Sequence, residues 1–193
     1  MRLHVLLLAA TLAFAAAGCG GGGDSSSSSS GTKPDEWASS VCGALQTWED
    51  DLRSGSQQLS ADIRASSDTK SVKEKLVTFL ENAETSTEKM VSDVKSAGAP
   101  AVKDGPAIQQ DLESGFTNAR TSFEQAVTQA KSLPTNNPQA LTTGLTTLAQ
   151  KIQSELTATG NHFSDLESKY DVSDLNKAMA DEPACKPFAS SSG

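Results

Sequence analysis

Apolar side chains recur at intervals of three and four residues from Pro34 onward, which is the period of an amphipathic helix. Four such stripes follow one another, and no run of comparable length alternates at period two as a half-buried strand does. The stripes are Trp37–Ile63, Val72–Val94, Ile108–Leu133 and Leu141–Tyr170. The pattern therefore predicts an all-helical domain of four long segments.

Residues that begin or end helices lie between the stripes. Pro34 precedes two acidic residues suited to a first turn, and Ser66, Ser67 and Asp68 offer N-caps for the second segment. The stretch "SAGAPAVKDGP", residues 96–106, must end the second helix and start the third. Before the fourth segment, Asn137 can act as the N-cap and Pro138 fits the first turn. Each segment is about 30 residues, or about 45 Å, long. Short connections between equal helices predict an up-down-up-down four-helix bundle.

The first 18 residues have the form of an export signal. Arg2 is followed by an apolar run, Leu3–Ala17, of about fifteen residues, shorter than the roughly twenty that span a bilayer. The run ends in small residues and gives way abruptly to a polar segment. We therefore predict a signal peptide over residues 1–18, with a membrane-spanning helix as the alternative.

A single cysteine stands at the end of this signal. Ala16-Ala17-Gly18-Cys19 resembles the lipobox of bacterial lipoproteins, although Ala16 stands where a large aliphatic residue is commoner. The resemblance implies that the Cys19 thiol carries a diacylglyceryl group and that signal peptidase II cleaves before it. Ordinary secretory cleavage after Ala15-Ala16-Ala17 is the alternative. The resemblance covers the signal alone.

Glycine and serine fill most of the segment behind Cys19. Residues 20–31 contain no apolar side chain to bury, so they are expected to form a flexible tether spanning about 20 Å. The sequence thus divides into a signal (1–18), a lipidated cysteine with its tether (19–33) and a helical domain (34–193). This organisation predicts a domain anchored on the outer face of the cell membrane, or in an outer membrane.

The mature chain is acidic. Without the signal it has 175 residues, with 15 Lys and Arg against 24 Asp and Glu, a formal charge of −9. A surface of this sign argues against nucleic acid as a partner, because phosphate binding needs a basic face. It argues equally against adsorption to anionic lipid, so that membrane attachment would depend on the covalent lipid on Cys19.

Two cysteines remain in the predicted domain, Cys42 and Cys185. An even pair in an exported protein predicts a disulfide, with two free thiols or an intermolecular bond as the alternatives. The start of the first helix and the end of the fourth lie at the same end of the predicted bundle. The bond would therefore clip the C-terminal tail, which includes a predicted short helix over residues 174–181, beneath the bundle.

The mature chain lacks the residues that most catalytic and metal sites require. His162 is its one histidine, and the Glu-x-x-His pairs of a di-iron bundle, a zinc ligand set and a haem-attachment motif are all missing from the sequence. The acidic runs lack the spacing of a calcium loop. We therefore expect no metal, no cofactor and no catalytic residue, and interpret the protein as a non-enzyme.

Trp37 and Trp48 lie eleven residues apart, or three helical turns, and so share one face of the first helix. They could form a ligand cradle, but two tryptophans on an apolar stripe are more often core residues. The leading hypothesis is an interaction or structural module of the bacterial envelope, whose partner is another envelope protein or a cell-wall polymer. The alternative is a lipoprotein that binds a lipid or a porphyrin within the bundle.

Overall fold

A computed structural model describes residues 31–189 of the chain, except for the side chains of residues 162–164 and 189. Within this range the chain is all-helical, as the apolar period predicted, and no strand is formed. Its long helices are α1 (Pro34–Ala65), α2 (Thr69–Ala97), α3 (Gly105–Ser132) and α4 (Pro138–Lys169), followed by α5 (Ser173–Asp181), a 3₁₀ turn (Pro183–Cys185) and α6 (Lys186–Ala189). The predicted signal peptide and most of the predicted tether lie outside the described residues.

Side chains at the helix termini explain where α2 and α4 begin. The carboxylate of Asp68 accepts a hydrogen bond from the backbone N–H of Ser71 at 2.9 Å. Asn137 accepts from the backbone N–H groups of Gln139 and Ala140 at 3.0 and 3.3 Å. Each of these bonds satisfies a donor that the first turn of a helix leaves without a partner. Asp68 is therefore the cap among the three candidates before α2, and the cap predicted at Asn137 is confirmed.

The Asp68 cap makes the stability of α2 depend on pH. Hydrogen bonds from the backbone N–H and the hydroxyl of Ser71 lower the pKa of Asp68 below its ordinary value. A carboxylate with a lowered pKa in the folded state stabilises the protein above its unfolded pKa, and this contribution is lost as pH falls through the folded pKa. We expect Asp68→Ala to lower the melting temperature by about 2–4 °C at pH 7, the usual size for a lost cap, and by less near pH 2.

Asp68→Asn is the matched control, because an asparagine side chain accepts the same hydrogen bond and does not titrate. Its melting temperature at pH 7 should stay close to that of the parent. Thermal melts of the three proteins from pH 2 to 7 make the comparison. A deficit in Asp68→Ala that is constant with pH would show that the charge of the cap is unimportant.

The connection between α2 and α3 is held by the chain that precedes α1. The backbone N–H of Thr32 donates to Ala99 O at 2.8 Å, and that of Ala101 donates to Thr32 O at 2.7 Å. Gly105 has to be glycine here, because a Cβ atom would lie 1.9 Å from the carbonyl oxygen of Pro100. Thr32, which the sequence assigned to the tether, therefore contacts the folded domain before α1 begins.

Contacts at the opposite end join α2 to the connection between α3 and α4. The hydroxyl of Thr69 donates to Thr135 O, and the ammonium of Lys73 donates to Leu133 O at 2.9 Å. These bonds satisfy carbonyl groups that follow the end of α3. The two ends of the domain are thus each closed by bonds between segments that are distant in sequence.

Three apolar clusters form the core. The cysteine-end cluster joins α1, α2 and α3 to the C-terminal tail and consists of Trp37, Ala38, Val41, Cys42, Ala97, Ile108, Leu175, Ala178 and Cys185. The middle cluster joins α1, α2 and α3 through Ala44, Met90, Val94 and Phe116. The far-end cluster is built mainly from α2, α3 and α4 and consists of Leu80, Ala83, Phe123, Ala126, Val127, Ala130, Leu133, Leu141 and Leu148. Helix α2 packs along both α1 and α3, and α3 packs along α4. Helices α1 and α4 make no extensive contact in the described part of the chain. Among residues 31–189 no helix has the length and apolar character needed to cross a membrane.

Candidate functional site

The disulfide predicted from the cysteine count is present. Cys42 lies on α1 and Cys185 ends the 3₁₀ turn, and their Cα atoms are 5.1 Å apart. Both residues are buried in the cysteine-end cluster together with Leu175 and Ala178 of α5. The bond therefore attaches the C-terminal tail to α1, at the end of the domain where the chain arrives from the predicted tether.

Trp37 is the largest side chain in this cluster, and 3% of its surface is exposed. Its indole Nε1–H donates to Gln109 Oε1 on α3 at 3.2 Å. The amide Nε2 of Gln109 donates in turn to Val94 O at 2.8 Å and to a carboxylate oxygen of Glu113 at 2.9 Å. A buried amide with all these partners fixes the rotation of α3 relative to α1 and α2.

Trp48 lies elsewhere, half-buried against the middle and far-end clusters. Its Nε1–H donates to the hydroxyl of Thr87 on α2 at 2.9 Å, and that hydroxyl donates to Ala83 O at 2.7 Å. The two tryptophans share a face of α1, as their spacing predicts, but they pack in different clusters. Each is a core side chain whose polar atom bonds to a neighbouring helix.

Hydrogen bonds that the sequence did not predict join the C-terminal end of α4 to α3. Asp111 Oδ2 accepts from Lys169 Nζ at 2.6 Å and from the Tyr170 hydroxyl at 2.9 Å. The bond to Asp111, and secondarily one to Tyr170, raises the pKa of Lys169 above its ordinary value. No motif connects residues so far apart in the chain, so the sequence carried no signal for these hydrogen bonds.

Two open cavities lie in the groove between α1 and α2. One, of about 260 Å³, is lined mainly by small and hydroxyl-bearing side chains that include Ser40, Gly43 and Thr47. The other, of about 330 Å³, has Leu52 and Phe79 among its lining residues. Neither tryptophan is among the residues that line these two cavities.

In the described residues no three His, Cys, Asp or Glu side chains come together as metal ligands. Every buried polar side-chain atom described by the structure has a hydrogen-bond partner. The side chain of His162 and the whole of Cys19 lie outside the described residues. The fold therefore places three features at one end of the domain: the disulfide, the buried Trp37, and the hydrogen bonds from Lys169 and Tyr170 to Asp111.

Comparison with known proteins returned no match: no protein family, no curated protein and no solved structure resembles this chain significantly.

Proposed function

We propose that this protein is a lipid-anchored, non-catalytic helical module of the bacterial envelope, with its four long helices in up-down-up-down order and the α1–α4 side of the bundle left open in the described residues. Its role would be to interact with another envelope protein or a cell-wall polymer. The bonds at both ends of the domain and the short connections support this bundle topology. The signal, the cysteine and the acidic surface support a covalent anchor in place of direct adsorption to lipid.

The packing of Trp37 favours the interaction module over a protein that binds an apolar ligand in its bundle. A protein that holds an apolar ligand in its bundle would keep an aromatic wall available to that ligand. Trp37 is instead buried among side chains of α1, α3 and α5, and its N–H is bonded to Gln109. A filled core of this kind favours recognition through the outer surface of the helices.

Lipidation of Cys19 is the first testable part of the proposal. Mass spectrometry of the protein from the membrane fraction should show Cys19 as the mature N-terminus with a diacylglyceryl adduct. Cys19→Ser should lose the adduct, because serine has no thiol to receive the diacylglyceryl group. A soluble wild-type form that begins at or before Gly18 would contradict the anchor.

The choice of function is tested by native mass spectrometry and by crosslinking in cells. We expect the purified full chain to have the mass of the protein and its anchor alone. Photocrosslinking residues at exposed helix positions should join it to one recurring envelope partner, and the same residue at buried Val94 should not. A lipid or porphyrin bound in stoichiometric amount would reject the interaction module in favour of the alternative.

A further inference from the structure

The arrangement of the long helices leaves one side of the domain without a direct helix–helix contact. Helices α2 and α3 each pack along two neighbours, whereas α1 and α4 do not pack extensively on each other in the described residues. A closed four-helix bundle needs that fourth contact. At the cysteine end the tail, α5 with the 3₁₀ turn, packs on α1 instead.

Helix α4 is fastened to the domain mainly near its two ends. Leu141 and Leu148 are buried in the far-end cluster, and the last turn is held by Asp111. Between these points, residues 149–161 contribute no buried side chain, and Leu156 is 37% exposed. Because residues 149–161 bury no side chain, this part of α4 is restrained mainly by the groups on either side of it, which toward the C-terminal end are Leu166, 7% exposed, and the bond from Lys169 to Asp111.

The C-terminal tail provides part of the restraint on the end of α4. Leu175 and Cys185 are buried in the cysteine-end cluster, and Met179 and Phe188 pack partly buried against it. Three residues, 170–172, separate the end of α4 from α5. Because the connection is this short, a tail bonded to α1 keeps the last turn of α4 close to α1 as well.

We propose that residues 173–188 form a redox-sensitive strap that joins α4 to α1 through the Cys42–Cys185 bond in place of the missing helix contact. With the bond formed, the strap covers Trp37 and restrains the second half of α4. With the bond reduced, the strap leaves α1, Trp37 becomes accessible and α4 separates from its middle onward. The packed pair α2–α3 is unaffected.

The reductant would be a dithiol. One of its thiolates attacks one sulfur of the Cys42–Cys185 bond, forming a mixed disulfide and releasing the other cysteine as a thiolate. The second thiol of the reductant then breaks the mixed disulfide. Two electrons pass to the protein, whose cysteines take up two protons to become thiols, and the reductant leaves as a disulfide.

Burial of the bond determines how this reaction proceeds. Cys42 is 3% exposed and Cys185 is 5% exposed, so a dithiol cannot reach either sulfur while the strap is seated. Reduction must therefore follow a local opening of the strap, and its rate should depend on the apolar contacts that seat it.

Hydrogen exchange of the mature full-length protein tests the strap, comparing the oxidised form with one reduced by dithiothreitol under native conditions. Thiol labelling confirms that both cysteines are free. We expect amides of residues 150–188 to lose protection on reduction while α2 and α3 keep theirs. Loss confined to the tail, unchanged protection throughout, or equal loss in α2 and α3 would each overturn the proposal.

The opening step is tested by the rate of reduction. Phe188→Ala removes a contact that seats the strap without touching the sulfurs, and should accelerate reduction about tenfold, which corresponds to about 1.4 kcal/mol. Asp181→Ala, an exposed position on the same tail, is the matched control and should react at the parent rate. Equal rates for Phe188→Ala and the parent would show that reduction does not pass through release of the strap.

Discussion

Trp37→Ala is expected to lower the free energy of unfolding by about 3–5 kcal/mol, the usual range for removing a large buried aromatic side chain. The indole is 3% exposed and packs in a cluster that contains residues of α1, α3 and α5. Its removal would leave a cavity between these elements. It would also leave the Oε1 atom of Gln109 without its indole donor. Urea unfolding followed by circular dichroism measures the change.

Trp37→Phe separates the two causes. Phenylalanine retains much of the apolar volume but cannot donate to Gln109, so it should cost about 1–3 kcal/mol, the range for an unsatisfied buried polar group. Trp48→Phe provides a comparison at a half-buried position, where the orphaned hydroxyl of Thr87 can still reach Ala83. If Trp37→Ala cost less than 1 kcal/mol, the cysteine-end cluster would not be part of the stabilising core.

Loss of the disulfide is expected to lower the free energy of unfolding by about 2–5 kcal/mol while most of the helix content remains. The bond joins residues separated by 143 positions, so that it restricts the unfolded chain over most of the domain. The middle and far-end clusters contain neither cysteine. Helix packing in those clusters should therefore persist without the bond.

Far-ultraviolet circular dichroism with and without reductant measures both parts of this expectation, and Cys42→Ala/Cys185→Ala repeats the test without reductant. The helical signal should persist at room temperature while the melting temperature falls. Complete loss of helix on reduction would mean that the three clusters do not stabilise the domain independently of the tail. Two titratable thiols in the native, untreated protein would contradict the bond itself.

The two groups expected to contribute most to stability, Trp37 and the disulfide, lie at the end of the domain where the predicted tether joins it. Thr32 enters the domain beside the α2–α3 connection, and Cys42 and Trp37 lie in the first turns of α1. The connections after α1 and α3 lie at the opposite end of the domain, about 45 Å away, the length of a helix of 30 residues.

The sequence by itself determined the helices. Their apolar period predicted α1 to α4, and the short helix predicted over residues 174–181 is α5. The caps at Asp68 and Asn137 were predictable because a cap involves residues within three positions of each other. The disulfide was predictable for a different reason: with Cys19 set aside, the chain has a single cysteine pair.

Only the tertiary structure decided which side chains meet across helices. The partners of Trp37 and Trp48 are 72 and 39 residues away, and Asp111 is 58 residues from Lys169. Such contacts depend on how far each helix is rotated about its axis and shifted along it. The amphipathic period of a helix shows which face is buried. The apolar stripe is wide, however, so the period does not determine the rotation of the helix about its axis or its shift along that axis. For the same reason, the sequence could not show that α1 and α4 make no extensive contact in the described residues.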